Sequence, residues 1–132
     1  MGPTTGRRSA TTSGLRQRAL GQTGECLAAD FLQRQGMVII ERNFRCPRGE
    51  IDIIAKDGDT IVFVEVKTRR TLAQGSPLEA VTAAKLRKIR TLSGIWLSQQ
   101  KDFFASIRID ALGIVMDPEP DYSHRRNVQV DS

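Results

Sequence analysis

With 132 residues the chain is long enough for one domain with a buried core and too short to divide into two; its 39% hydrophobic and 27% charged residues are ordinary for a soluble globular protein, and its longest apolar runs, Met37 to Ile40 and Ile61 to Val64, cannot span a bilayer. Two isolated cysteines, Cys26 and Cys46, and a single histidine, His124, exclude a Cys/His zinc site and Ser-His or Cys-His nucleophilic catalysis, so any chemistry runs on carboxylates and lysine. The net charge of +5 is carried largely by Arg7, Arg8, Arg16 and Arg18; residues 19 to 117 hold 14 basic and 12 acidic groups, which excludes a uniformly polybasic surface.

Residues 1 to 17 are rich in Gly, Thr, Ser and Arg and poor in apolar groups, which predicts a disordered basic arm, either for nucleic acid or simply for solubility. No signal-peptide core follows the N-terminus and the sixth position lacks the Ser or Thr of a myristoylation signal, so the expected compartment is the cytoplasm, with no membrane partner. Leu20, Leu27, Ala28, Phe31 and Leu32 then recur at helical spacing up to Gln35, with Gly36 as the stop. Glu25 lies at the edge of that stripe and, taken alone, reads as a solvated boundary residue.

Met37 to Phe44 reads as a strand and Arg45-Cys46-Pro47-Arg48-Gly49 as a basic turn. Glu50 to Lys56 and Thr60 to Thr68 form two strands around Asp57-Gly58, a pair suited to a type I′ hairpin. Ser76-Pro77-Leu78-Glu79 predicts a second helix start, with Ser76 as N-cap and Glu79 closing a capping box. Leu78, Val81, Leu86, Ile89, Leu92 and Trp96 supply its buried stripe. A last strand is expected over Ser106 to Met116, and residues 117 to 132, with Pro118 and Pro120, are expected to be a tail. The order is helix, three strands, helix, strand.

The hairpin gathers charge. Side chains alternate along a strand, so Glu65 and Lys67 project from one face. With Asp57 and Gly58 as the loop, Asp52 opposes Phe63 and Glu50 opposes Glu65; a longer turn puts Asp52 directly opposite Glu65. Either register keeps Asp52 beside Glu65. Three carboxylates on a face shared with Ile61 and Phe63 repel one another, and a divalent cation such as Mg²⁺ would resolve the conflict. The plain structural alternative is a solvated hairpin face with weak surface ion pairs.

Asp52, followed thirteen residues later by Glu65-Val66-Lys67 and flanked by two helices, resembles the PD-(D/E)xK nuclease superfamily. Gly24-Glu25, Arg42-Asn43-Phe44-Arg45, Gly49-Glu50-Ile51-Asp52-Ile53-Ile54-Ala55, Val62 to Arg69 and Gly75 to Val81 more narrowly resemble the YraN family of bacterial proteins, itself similar to archaeal Holliday-junction resolvases. The likeness covers about residues 18 to 116. It implies an α/β fold, a restriction-endonuclease-like core with a mixed central sheet flanked by helices. It also implies that Asp52 and Glu65 hold Mg²⁺ or Mn²⁺, with the Val66 carbonyl as a backbone ligand, that Lys67 is the catalytic lysine, and that Glu25 completes the site. Glu50 is a further candidate metal ligand on the shared face. Ile51 stands where the superfamily motif has proline, a departure that bears on strand geometry rather than on metal chemistry.

The expected activity is metal-dependent endonucleolytic cleavage of DNA, branched DNA included. Between Lys67 and Arg90 seven basic residues face Glu79 alone, so Arg69, Arg70 and Lys85, with Arg48 in the preceding turn, are the candidate contacts to the nucleic-acid backbone. Arg87 and Lys88 read as a solvated outer face, whereas Lys85 is one turn from Val81 and Ile89 and nearer the buried stripe. The competing readings are a non-catalytic nucleic-acid-binding module on a nuclease fold and a protein-interaction module, with the sheet or the Trp96 helix forming a homodimer.

Overall fold

In the computed structural model, which describes residues 5–129, the first helix, α1, runs Thr5–Arg34. Its end follows from Gly36, whose φ of +94° is cheap only for glycine. The Gly36 N–H donates to the Gln33 carbonyl at 3.0 Å and the Met37 N–H to the Leu32 carbonyl at 3.0 Å, a Schellman closure in which Met37 and Leu32 are both buried. The helix begins earlier than the apolar stripe: residues 5 to 17, expected to be an arm on composition, are its first turns, and residues 1 to 4 lie outside the described residues. Leu15 in that stretch is 54% exposed, so packing against the sheet rests on Leu27, Ala28, Ala29, Phe31 and Leu32.

Strands β1 (Val38–Cys46), β2 (Gly49–Asp57) and β3 (Thr60–Arg69) follow as an antiparallel meander. Asp57 pairs with Thr60, so the hairpin loop is Gly58-Asp59, one residue later than the Asp-Gly reading. Only Gly58 carries a positive φ (+60°), as type II′ requires at its first position, whereas type I′ requires it at both. The shifted register is therefore the one adopted: Ile54 faces Phe63 and Ile53 faces Val64.

The second helix, α2, spans Ala83–Ser98 and starts later than Ser76 suggests. Pro77–Ala80 forms only a single 3₁₀ turn, Ser76 makes no side-chain cap, and Val81 is extended. Thr82 is the true N-cap, accepting from the Lys85 N–H at 3.2 Å. The chain returns as β4 (Ser106–Val115), parallel to β3 along ten residue pairs. Residues 117 to 132 are not simply a tail: Asp121–Arg125 forms β5, antiparallel to β4, so the sheet order is β1-β2-β3-β4-β5. Residues 130 to 132 lie outside the described residues.

The result is an α/β domain with one mixed sheet and a helix on each face. One core joins α1 to Ile53, Ala55, Val62, Val64, Leu112 and Ile114; the other joins α2 to Phe44, Ile51, Ile54, Ile61 and Phe63 around Trp96. The Trp96 indole N–H donates to Glu41 at 3.1 Å, which satisfies its one polar atom. Among the described residues no helix is long and apolar enough to cross a membrane.

Gly24 fixes how closely α1 approaches β3. A Cβ there would collide with the Thr68 hydroxyl and stand 2.9 Å from its Cβ and 3.0 Å from its Cγ2. Gly24→Ala is therefore expected to cost about 1–2 kcal/mol, because the overpacking penalty exceeds the helix-propensity gain of alanine. Urea denaturation checks this, and Thr68→Ala in the same chain should recover part of the loss; an equal or higher midpoint for Gly24→Ala would contradict the contact.

Candidate metal centre

The site forms where strand alternation breaks. Ile51 and Ile54 both enter the α2-side core, while Ile53 and Ala55 enter the α1-side core, so Asp52 sits at a dislocation in β2. Opposite it, Asn43 of β1 is left-handed (φ +57°), a conformation Asn tolerates better than most residues. The β2–β3 pairing extends only to Ile53 and Val64, whereas β3 continues alongside β4 to Arg69. Past that point the Asp52 carboxylate takes the place of a strand carbonyl, accepting the Val66 N–H at 2.8 Å.

That placement brings Asp52 against Glu65, directly across the gap. Burial and then the neighbouring Glu65 push the Asp52 carboxyl up to about 8, against an ordinary 3.8, although the Val66 N–H pulls the other way. Burial likewise raises Glu65, opposed by hydrogen bonding to Asp52 and by the nearby Lys85 and Lys67. Each carboxylate opposes ionisation of the other, so the pair resists carrying two negative charges. Glu25 adds negative potential at Asp52 from α1. It is not the solvated boundary residue that its place on the helix stripe suggests: with its amide oriented to satisfy hydrogen bonding, the Asn43 nitrogen donates to both Glu25 oxygens, at 3.1 and 3.3 Å.

The remaining candidates divide. Glu50 pairs with Arg45 (3.0 Å), with both side chains at least half exposed, while it also raises Glu65 and lines a cavity with it. Among the described residues no three His, Cys, Asp or Glu side chains converge as a ready-made metal cage. Lys67 and Lys85 both act on Glu65. Lys85 lines a cavity of about 480 Å³ on the α2 side with Glu50, Glu65 and Lys88. Lys88 is exposed, as expected, and also lines this wall; its stem lies where a Cβ on Gly49 would stand. Arg87 is exposed, as expected. Arg69 and Arg70 line a second cavity on the α1 side with Glu25 and Lys67, and Arg48 lines neither of these two cavities. Asn43 escaped sequence reasoning as a site residue; the available signal was an asparagine, a left-handed former, inside an otherwise strand-like run.

The donor set suits a hard cation. Two carboxylates oppose each other at a gap in the sheet, and Mg²⁺ is commonly held by one or two carboxylates with water completing its oxygen shell. A single divalent ion at this pair would offset both charges.

Fold and site together define an α/β protein with a carboxylate pair and two lysines at a break in a mixed sheet. Residues 24–114 match the model of the uncharacterised protein family UPF0102. A UPF0102 protein of Paenarthrobacter aurescens is 51% identical over 111 residues, covering 83% of this chain and 92% of the relative. One from Renibacterium salmoninarum is 49% identical over 111 residues (83% and 94%), and one from Nocardia farcinica 50% over 102 residues (77% and 80%). The chain belongs to the UPF0102 family, the YraN family its motifs resemble.

Proposed function

We propose that the protein is a divalent-metal-dependent endonuclease of the PD-(D/E)xK type, hydrolysing DNA phosphodiester bonds and selecting branched or otherwise deformed DNA by shape. The observation that carries this reading is the pairing of Asp52 and Glu65 in a half-buried gap, with Lys67 and Lys85 acting on Glu65 and, among the described residues, no salt bridge to either acid. Structural acids of a stable sheet would be separated or salt-bridged; these two oppose each other.

Asp52 and Glu65 would hold Mg²⁺ or Mn²⁺. When bound, the ion polarises a phosphoryl oxygen and lowers the pKa of a bound water. The Val66 N–H keeps the Asp52 carboxylate from rotating away. Lys67 offsets charge at Glu65 in the resting site and stabilises the negative charge that develops on the phosphoryl oxygens as water attacks. Glu25, steadied by Asn43, is positioned to orient water at the α1 edge of the gap. Lys85 and Lys88 on one side and Arg69 and Arg70 on the other supply backbone contacts without base readout.

The test is incubation of the purified chain with labelled four-way junctions, flaps and linear duplexes, with Mg²⁺, Mn²⁺ or EDTA. Cleavage is expected only with a divalent ion, and Glu65→Ala should lower it about 10²–10³-fold, the scale of losing a key electrostatic group. Cleavage persisting in Glu65→Ala would remove this site from the chemistry. A non-catalytic nucleic-acid module is the second reading, favoured by the absence of a three-carboxylate cage among the described residues; salt-dependent DNA binding without cleavage by any metal would select it.

A further inference from the structure

We propose that the cavity between α1 and the end of β3 is a built subsite for a backbone phosphate of the polynucleotide, next to the one held at the carboxylate pair; this rests on the nucleic-acid reading above. The cavity has a volume of about 510 Å³, and its charged and polar walls include Glu25, Lys67, Thr68, Arg69, Arg70 and Gln74. Three cations face one carboxylate there, and that carboxylate already accepts the Asn43 amide. The cavity is therefore selective for anions.

Arg69 is the sharpest indication. Its Nη1 donates to the Gln74 side-chain oxygen at 3.1 Å, but its Nε is buried and has no hydrogen-bond partner among the described residues. A buried guanidinium N–H normally finds an acceptor. Phosphate oxygens are the acceptors whose geometry matches this fork.

The mounting is rigid. The Arg69 and Arg70 carbonyls accept the Met116 and Asp117 N–H groups at 2.9 Å each, so both residues are carried on an extension of the β3–β4 ladder rather than on a loose loop. Thr71 accepts the Ala73 N–H at 3.2 Å and shapes the turn that follows. The opposite wall is held close by the Gly24–Thr68 contact. Lys67 and Arg69 both line the cavity and are two residues apart on one strand, about 6–7 Å along it. A strand with one phosphate at Lys67 thus delivers its neighbour toward Arg69.

The test uses the full chain, EDTA throughout, and anisotropy of a labelled DNA duplex across a series of salt concentrations. Arg69→Ala and Arg70→Ala are each expected to reduce the slope of log affinity against log salt by about 1, one phosphate contact apiece. Arg87→Ala, on the exposed face of α2, should leave the slope unchanged. Thermal melting of each variant detects misfolding; should Arg69→Ala misfold, Arg70→Ala and Arg69→Lys carry the test, the latter keeping the charge and slope while weakening binding through loss of the fork. Unchanged slope in Arg70→Ala and unchanged affinity in Arg69→Lys would overturn the proposal. So would inorganic phosphate or pyrophosphate raising the melting temperature of the wild type, and not of Arg69→Ala, with no change in DNA slope; that result assigns the cavity to a free anion. Because no cleavage is required, a protein that never cuts DNA can still pass, and one that cuts can still fail.

Discussion

Asp52→Asn is expected to make the metal-free protein more stable at neutral pH. The substitution keeps an oxygen to accept the Val66 N–H and removes the carboxyl whose ionisation burial and Glu65 oppose, so folding no longer has to take up a proton there. The gain should be about 1–3 kcal/mol, the range in which a functional charge burdens a fold. Its pH dependence has a definite sign. The folded Asp52 carboxyl is raised to about 8 from 3.8, so between those values the folded chain holds a proton that the unfolded chain has released. Wild-type stability therefore falls as pH rises through that window and levels off above about 8, while below about 4 the difference from Asp52→Asn closes. Divalent ions act the other way: at a hundredfold excess over Kd, Mn²⁺ adds about 2.7 kcal/mol to the wild type, and little to the Asn variant. Melting curves in EDTA and in Mn²⁺ across pH check all of this. A less stable Asp52→Asn in EDTA at pH 7.5, or equal Mn²⁺ shifts in both proteins, would sink the account.

This conflict is also where the sequence is most and least legible. Alternation alone places Glu65 and Lys67 on one face, and any hairpin joining residues 50–56 to 60–68 brings Asp52 near them, so the pair can be read from residue order and strand geometry. The register cannot. Asp57-Gly58 satisfies the rule for one turn type, but the chain uses Gly58 in the first position of another, which moves the loop by one residue and every cross-strand partner by two. The dislocation at Asp52 is also hidden, because Ile51, Ile53 and Ile54 are equally apolar and both faces of the sheet are covered. Hydropathy cannot say which isoleucine faces which helix when either answer buries it. The start of α2 is misplaced for a related reason. Ser76-Pro77 has the local chemistry of a helix start, yet it delivers one 3₁₀ turn whose Pro77 and Leu78 pack on Gly113, and the chain must extend at Val81 before Thr82 can cap. Strand β5 escapes notice because five residues with one aromatic carry no apolar run; its signal is the alternation of Tyr122 and His124, which stack flat and edge-on against Phe31.

That last strand is secured by a buried charge, and removing it should have the largest effect on stability. Asp110 is fully buried. Its oxygens meet Arg108 Nε at 3.0 Å and Nη2 at 3.3 Å, His124 Nε2 at 2.9 Å and the Asn127 N–H at 3.0 Å. Burial alone would raise its pKa, but the hydrogen bonds from His124, Arg108 and Asn127 prevail and hold it below the usual carboxylate range. Asp110→Ala strands Arg108, left with Asp57 at 2.9 Å, together with an unpaired Asn127 N–H. The expected cost is about 3–5 kcal/mol, seen as a lower urea midpoint at unchanged slope. A carboxylate with a depressed folded pKa stabilises above its unfolded value and loses that contribution as pH falls through the folded one, so the gap between wild type and Asp110→Ala should narrow below about pH 4. Hydrogen exchange then distinguishes two kinds of loss. Protection lost only in β5 would make that strand a separable flap; loss extending to Val64 is expected instead, because Asp110 pairs with Val64 across the β3–β4 ladder and its network is part of the central sheet.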